Sequence, residues 1–177
     1  QISLAEGRHN LIARLIDEDR IEEAASQVAE TVAGYRQYAR LAGADGMRAG
    51  RDLAELAALL TRARRTAEAV NTLQALMDVY GAFTPGEADQ LVYQISLAEG
   101  RHNLIARLID EDRIEEAASQ VAETVAGYRQ YARLAGADGM RAGRDLAELA
   151  ALLTRAGRTA QAGAAQQAAD ELLHEND

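Results

Sequence analysis

The 177-residue chain writes one long stretch twice. Residues 1–63 recur letter for letter as residues 94–156, and the identity ends where Arg64 meets Gly157. Whatever local structure the first copy adopts, the second is expected to adopt too. Self-similarity of this kind implies stacked supersecondary units, each sheltering a face against the next. Drift would have scattered substitutions over the surface of an old duplication, so this one is expected to be recent or engineered.

Inside each copy the apolar residues recur at helical spacing. Leu4, Leu11 and Leu15, with Ile12 and Ile16 beside them, predict a first helix to Asp17. Asp19 followed by Glu22 has the form of a capping box, predicting a second helix from about Arg20 with Ala24, Val28, Val32 and Tyr35 as its stripe. That helix is expected to end at Gly43 in a left-handed cap. After the loop Gly43-Ala44-Asp45-Gly46, Leu53, Leu56, Leu59 and Leu60 mark a third helix. Thr66 is positioned to cap a fourth, with Ala69, Leu73, Leu76, Met77 and Tyr80 on its buried face.

Thr84-Pro85-Gly86-Glu87 then reads as a helix start, with a capping Thr and a first-turn Pro. A helix unbroken from Pro85 to Asp110 would be on the order of 40 Å long. By comparison Gln1, the counterpart of Gln94, is expected to fall inside an interrupted helix of a longer or engineered protein. A weaker internal repeat places Arg65, Glu68 and Ala69 on Arg20, Glu23 and Ala24. The unit is thus a helix pair, and four pairs are expected at about 1–43, 45–83, 85–136 and 138–174. The last helix, rich in Ala and Gln, has the polarity of a solvent-facing cap.

Leu11, Leu15, Arg20-Ile21-Glu22-Glu23-Ala24, Val28, Val32 and Tyr35-Arg36 resemble the tetratricopeptide repeat (TPR), particularly its long-helix bacterial variants. Leu56, Leu60, Arg65, Glu68-Ala69, Leu73 and Tyr80 repeat the resemblance, which covers nearly the whole chain. Ala24, Ala69, Ala117 and Ala162 match the small residue that lets paired helices approach. The departures are Arg8 or Leu53 at the large aromatic position, Ile12 or Ala57 at the small one, and Arg36 or Gly81 for the closing proline. A HEAT-like solenoid has a similar period. The resemblance implies an all-α, right-handed α-solenoid of antiparallel helix pairs, whose concave groove binds an extended or helical peptide.

Aligned on that family, the groove residues are Glu6, His9, Asn10, Ala13 and Asp17, then Arg51, Glu55, Ala58 and Arg62. The second copy gives Glu99, His102, Asn103, Ala106 and Asp110, then Arg144, Glu148, Ala151 and Arg155. Asn10 and Asn103 are the foremost ligand contacts, since an amide both donates to and accepts from a peptide backbone. The competing reading is an ordinary solvated Asn. Glu6, Arg51, Glu99 and Arg144 alternate in sign, as do Asp17, Arg62, Asp110 and Arg155. These series are expected to form an inter-repeat ladder of ion pairs, or alternatively to lend the four arginines to an acidic ligand.

Composition narrows the function. A formal charge of −9 opposes nucleic acid, and all 19 cationic residues are arginine. No cysteine is present, which excludes disulfides and thiolate metal sites and fits a cytoplasmic setting. His9, His102 and His174 lack metal-pair spacing, and Ser3 and Ser26 lack a neighbouring base. Neither a metal, a cofactor, a membrane contact nor catalysis is expected. The expected role is a non-catalytic protein- or peptide-binding scaffold. The alternatives are a self-assembling module, giving a homo-oligomer, and a regulatory fragment of a larger signalling protein.

Overall fold

The computed structural model describes residues 2–42 and 46–174. Among these residues all regular structure is helical. The helices are α1 (Ile2–Asp17), α2 (Ile21–Ala42), α3 (Gly46–Arg62), α4 (Thr66–Gly81), α5 (Gln90–Asp110), α6 (Ile114–Ala135), α7 (Met140–Arg155) and α8 (Thr159–His174). They form two compact units, Gln1–Gly86 and Glu87–Asp177. In the first, α1 packs on α2 and α3 on α4, while α2 also contacts α3 and α4. The second repeats this plan with α5 on α6, α7 on α8, and α6 against α7 and α8.

Small residues set the closeness within each pair. A Cβ built on Gly34 of α2 would stand 3.2 Å from the Ala5 methyl of α1, and one on Gly127 of α6 3.3 Å from Ala98 of α5. Ala24, Ala69, Ala117 and Ala162 are buried at the start of each second helix. Around these contacts lie the large side chains Ile12, Leu53, Leu56, Leu60, Leu76, Ile105, Leu108, Leu146 and Leu149, all fully buried. Burying one such side chain stabilises by roughly 1.5–3 kcal/mol. The stripe Ala24, Val28, Val32, Tyr35 is buried as its spacing predicts. Leu4 and Leu11 are not: both are exposed, and Ala5, Ile12 and Leu15 form the buried face of α1.

The turns inside each pair share one design, and it differs from a capping box. Asp19 has φ +60° and closes α1. Its N–H donates to Ile16 C=O at 3.0 Å, and Arg20 N–H reaches back to Leu15 C=O at 2.8 Å. This is the Schellman arrangement, which satisfies the last carbonyls of a helix through one left-handed residue. Arg64, Asp112 and Gly157 hold the same place with φ of 57°, 58° and 73°. Asp19 therefore ends a helix where capping of the next was expected. Thr66 likewise lies within the first turn of α4, with Arg65 at the cap position and no side-chain cap bond.

Two further boundaries differ from expectation. Thr84, Pro85 and Gly86 lie in a connection without regular structure, Glu87–Asp89 makes a 3₁₀ turn, and α5 opens only at Gln90. At 21 residues α5 is about 31 Å long. The expected cap at Gly43 lies outside the described residues, as do Ala44 and Asp45. In the copy, Gly136 ends α6 with φ 57° and ψ −123°, a conformation open to glycine, and Gly136–Gly139 forms a 3₁₀ turn. The final helix is the more polar one: α8 buries four alanines and Leu172, where α4 buries Val70, Leu73, Leu76, Val79 and Tyr80.

Candidate functional site

In the second unit, Glu99, His102 and Asn103 of α5 stand one turn apart on one face, as do Asp145 and Glu148 of α7. With Tyr128 of α6 as the floor they line a cavity of about 240 Å³. Tyr128 is 1% exposed, and a buried phenol needs a polar partner for its hydroxyl. His102 Nδ1 supplies it at 3.2 Å. The two rings meet edge to face, 6.2 Å between centroids and 84° between planes. The first unit carries the same pair, with His9 Nδ1 3.3 Å from Tyr35 Oη and the rings 6.4 Å apart at 87°.

Charge around this floor is predominantly negative. Burial first, and the carboxylates of Asp145 and Glu99 next, push the Tyr128 hydroxyl above its ordinary pKa, so it stays protonated. Tyr35 is raised by burial and then by Asp52. Burial also holds His102 below the ordinary imidazole value, with Glu148 pulling the other way, and the ring is neutral near pH 7. Asp52 and Asp145 are both raised, burial being the leading cause in each. The Oδ2 of each is shielded from solvent and has no hydrogen-bond partner. Arg141 Nε stands 3.9 Å from Asp145 Oδ2, beyond hydrogen-bond reach.

The expected site residues divide into two groups. His102, Asn103 and Glu99 come together at the cavity with Glu148. In the first unit His9 is half-buried against Tyr35, and Asn10 is exposed beside it on α1. Arg51, Arg62, Arg144 and Arg155 are exposed, and neither Arg144 nor Arg155 lines the cavity. Asp17 and Asp110 lie exposed at the ends of α1 and α5.

Ion pairs between successive helix pairs do form, with other partners than the expected ladder. Glu6 accepts from Arg48 instead of Arg51, and Glu99 from Arg141 instead of Arg144. Asp110 pairs with Arg107 of its own helix, Nε to Oδ2 at 3.3 Å, and not with Arg155. The reason is axial stagger: contacts between neighbouring pairs join residues 42 or 43 apart, about one turn short of the repeat spacing. On the opposite helices Arg36 donates to Asp78 and Arg65 to Glu22, at 2.6 and 2.7 Å. The second unit matches them with Arg129 to Glu171 and Arg158 to Glu115.

Tyr35, Tyr128, Asp52 and Asp145 were not among the site residues expected from sequence. The tyrosines read as core, which they are, with only the hydroxyl serving the site. Asp52 and Glu55 sit three residues apart on one helix face, as do Asp145 and Glu148, and that spacing was the available signal. Neither a family model nor a curated protein matches the sequence. The six side chains lining the cavity are three carboxylates, an imidazole, an amide and a phenol. Among the described residues no helix is long and apolar enough to cross a membrane.

Proposed function

We propose that the chain is a TPR-like α-solenoid of about four helix pairs, the last a polar cap, acting as a non-catalytic protein- or peptide-binding scaffold. The observation that carries this reading is the cavity bordered by the first helices of two successive pairs, with Asn103 at its exposed edge. Such a surface positions an amide to pair with a peptide backbone while neighbouring side chains read the ligand's own. Nucleic acid is disfavoured as a partner by the −9 formal charge. Asn10→Ala with Asn103→Ala, titrated against a partner captured by the intact protein, is expected to weaken binding at least about ten-fold, roughly 1.4 kcal/mol. Unchanged affinity would refute the assignment of the binding face.

Self-assembly is a second reading with an observation of its own. Leu41 and Leu134, equivalent in the two copies, are 73% and 44% exposed, and Leu4 is 61% exposed. Apolar side chains repeated at an exposed site suit contact between molecules. Sedimentation across a concentration series decides it, because a strict monomer at every concentration disposes of assembly.

A further inference from the structure

We propose that the outer face of α1 is the interface of an antiparallel two-fold dimer, and that what covers it is the same face of a second copy of this chain. The proposal rests on the self-assembly reading above and names its surface and stoichiometry. Its starting point is a difference between two stretches spelled identically. Leu4 and Leu11 are 61% and 43% exposed, whereas of their copies Leu104 is 3% exposed and Leu97 half-buried. Between them Gly7 is exposed and its copy Gly100 is buried. Leu4, Gly7 and Leu11, three and four residues apart, make one row along α1. The same letters thus form a packed face in the second unit and a bare one in the first, so the row is built to pack and stands uncovered.

The shape of the row suits a copy of itself. A Cβ built on Gly7 would meet nothing within 4 Å, so two leucines flank a notch where a second helix backbone can come close. With a two-fold axis between Gly7 and Arg8 and the helices antiparallel, Leu4 of each molecule meets Leu11 of the other. One row then makes both halves of the contact, as an isologous interface requires. Charge does not oppose the pairing. Arg8, beside the axis, is already neutralised by Glu30 of α2 at 2.5 Å. Arg14, at the far end of the row, lies about 20 Å along the helix from its mate, beyond the reach of repulsion in physiological salt.

Other surfaces of a second molecule match the row less well. Where α4 carries Val70, Leu73 and Met77, α8 carries Gly163, Gln166 and Asp170, all exposed, so the last helix offers no apolar row for head-to-tail stacking. The remaining large exposed apolar residues among those described, Leu41, Leu91, Val92, Leu134 and Met140, sit at helix ends and form no row. A head-to-tail contact would also leave one α1 face open and let the chain of molecules grow, whereas the isologous contact closes at two. One helix row is at the small end of protein interfaces, below roughly 1,200 Å², so the dimer exchanges with monomer at a dissociation constant of about 10 μM to 1 mM.

The test is sedimentation of the full chain from about 1 μM to about 1 mM, where a monomer giving way to a dimer and to nothing larger is the expected result. Leu4→Glu with Leu11→Glu, at two exposed positions, is expected to weaken dimerisation at least about ten-fold with the helical circular dichroism retained. The chain has no cysteine of its own, so engineered thiols report the packing directly. Mixed Leu4→Cys and Leu11→Cys proteins are expected to cross-link at least about ten-fold faster under mild oxidation than either protein alone, because like positions lie about 10 Å apart along the antiparallel pair. Faster cross-linking of either protein alone overturns the antiparallel interface. If the double Glu variant assembles as the parent does, or if assembly passes beyond two, the α1 interface falls and self-assembly stands on other surfaces. A monomer at every concentration removes both.

Discussion

The two units are a controlled comparison, because α1 to α3 of one and residues 94–155 of the other are spelled identically while α4 and α8 are not. Where only identical residues meet, the buried contacts repeat: the His–Tyr bonds are 3.3 and 3.2 Å, and the Glu6–Arg48 and Glu99–Arg141 pairs match, whereas Arg20 pairs with Glu18 and Arg107 with Asp110 in one unit each. Where an identical helix meets a divergent one, the packing changes while the charge pattern is kept. Gly50 of α3 faces the Tyr80 ring, whereas Gly143 of α7 faces Leu173, whose Cγ would stand 2.7 Å from a Cβ built on that glycine. Arg36 finds Asp78 and its copy Arg129 finds Glu171, so an acid is retained at that position in both helices. The difference teaches that the charge pairing between helices is kept while the core beside it exchanges whole side chains.

The sharpest way to break the comparison is Leu76→Ala, which gives α4 the residue that α8 carries at Ala169. Leu76 is fully buried, so a loss of about 2–5 kcal/mol in urea denaturation is expected. A smaller effect separates the two glycines. Gly50→Ala drives a methyl into the buried Tyr80 ring and should cost about 1–3 kcal/mol. Gly143→Ala meets the half-buried, flexible Leu173 and recovers up to about 1 kcal/mol of helix propensity, so it should lie much closer to neutral. Equal losses at both glycines would show that Tyr80 yields as easily as Leu173.

The first letter at which the copies part supplies the next test. Arg64 and Gly157 both occupy the left-handed position of a Schellman turn, where a side chain costs about 1–2 kcal/mol. Arg64→Gly should therefore raise the denaturation midpoint and Gly157→Arg lower it by a similar amount. Smaller still is an ion pair for which the second unit lacks the acid. Glu68 pairs with Arg65 and is held below the ordinary carboxylate range by that hydrogen bond, while α8 carries Gln161 in its place. Its stabilisation is present above the unfolded pKa and fades as the pH falls through the folded value. Glu68→Gln should cost a few tenths of a kcal/mol near neutrality and nothing measurable at pH 2.

Asp52 and Asp145 titrate in the opposite sense. Their folded pKa values are raised by burial, so their charge costs stability as the pH rises through those values. Asp52→Asn with Asp145→Asn is expected to raise the denaturation midpoint slightly at pH 7 and leave it unchanged in strong acid.

Helix type, pairing and most of the core were legible in the sequence, because period and burial describe the same face. Ala24, Val28, Val32 and Tyr35 show this directly. Helix starts were less legible. Asp19-Arg20-Ile21-Glu22 carries the letters of a capping box, yet the end of α1 took Asp19 for its own carbonyls. The Pro85 signal likewise fell in a connection without regular structure. Of the site, the histidines and asparagines could be aligned in advance, while Asp52 and Asp145 gain meaning only from the helices around them.

By itself the sequence determined that the same helices would form twice and which stripe each would hide, since both follow from spacing along one chain. Only the tertiary structure decided which charges would meet and which would be stranded. Stagger between neighbouring pairs moved Glu6 and Glu99 onto Arg48 and Arg141. The same packing closed Asp145 Oδ2 off from water beside the Tyr128 floor, because an atom's desolvation depends on neighbours that are distant in sequence.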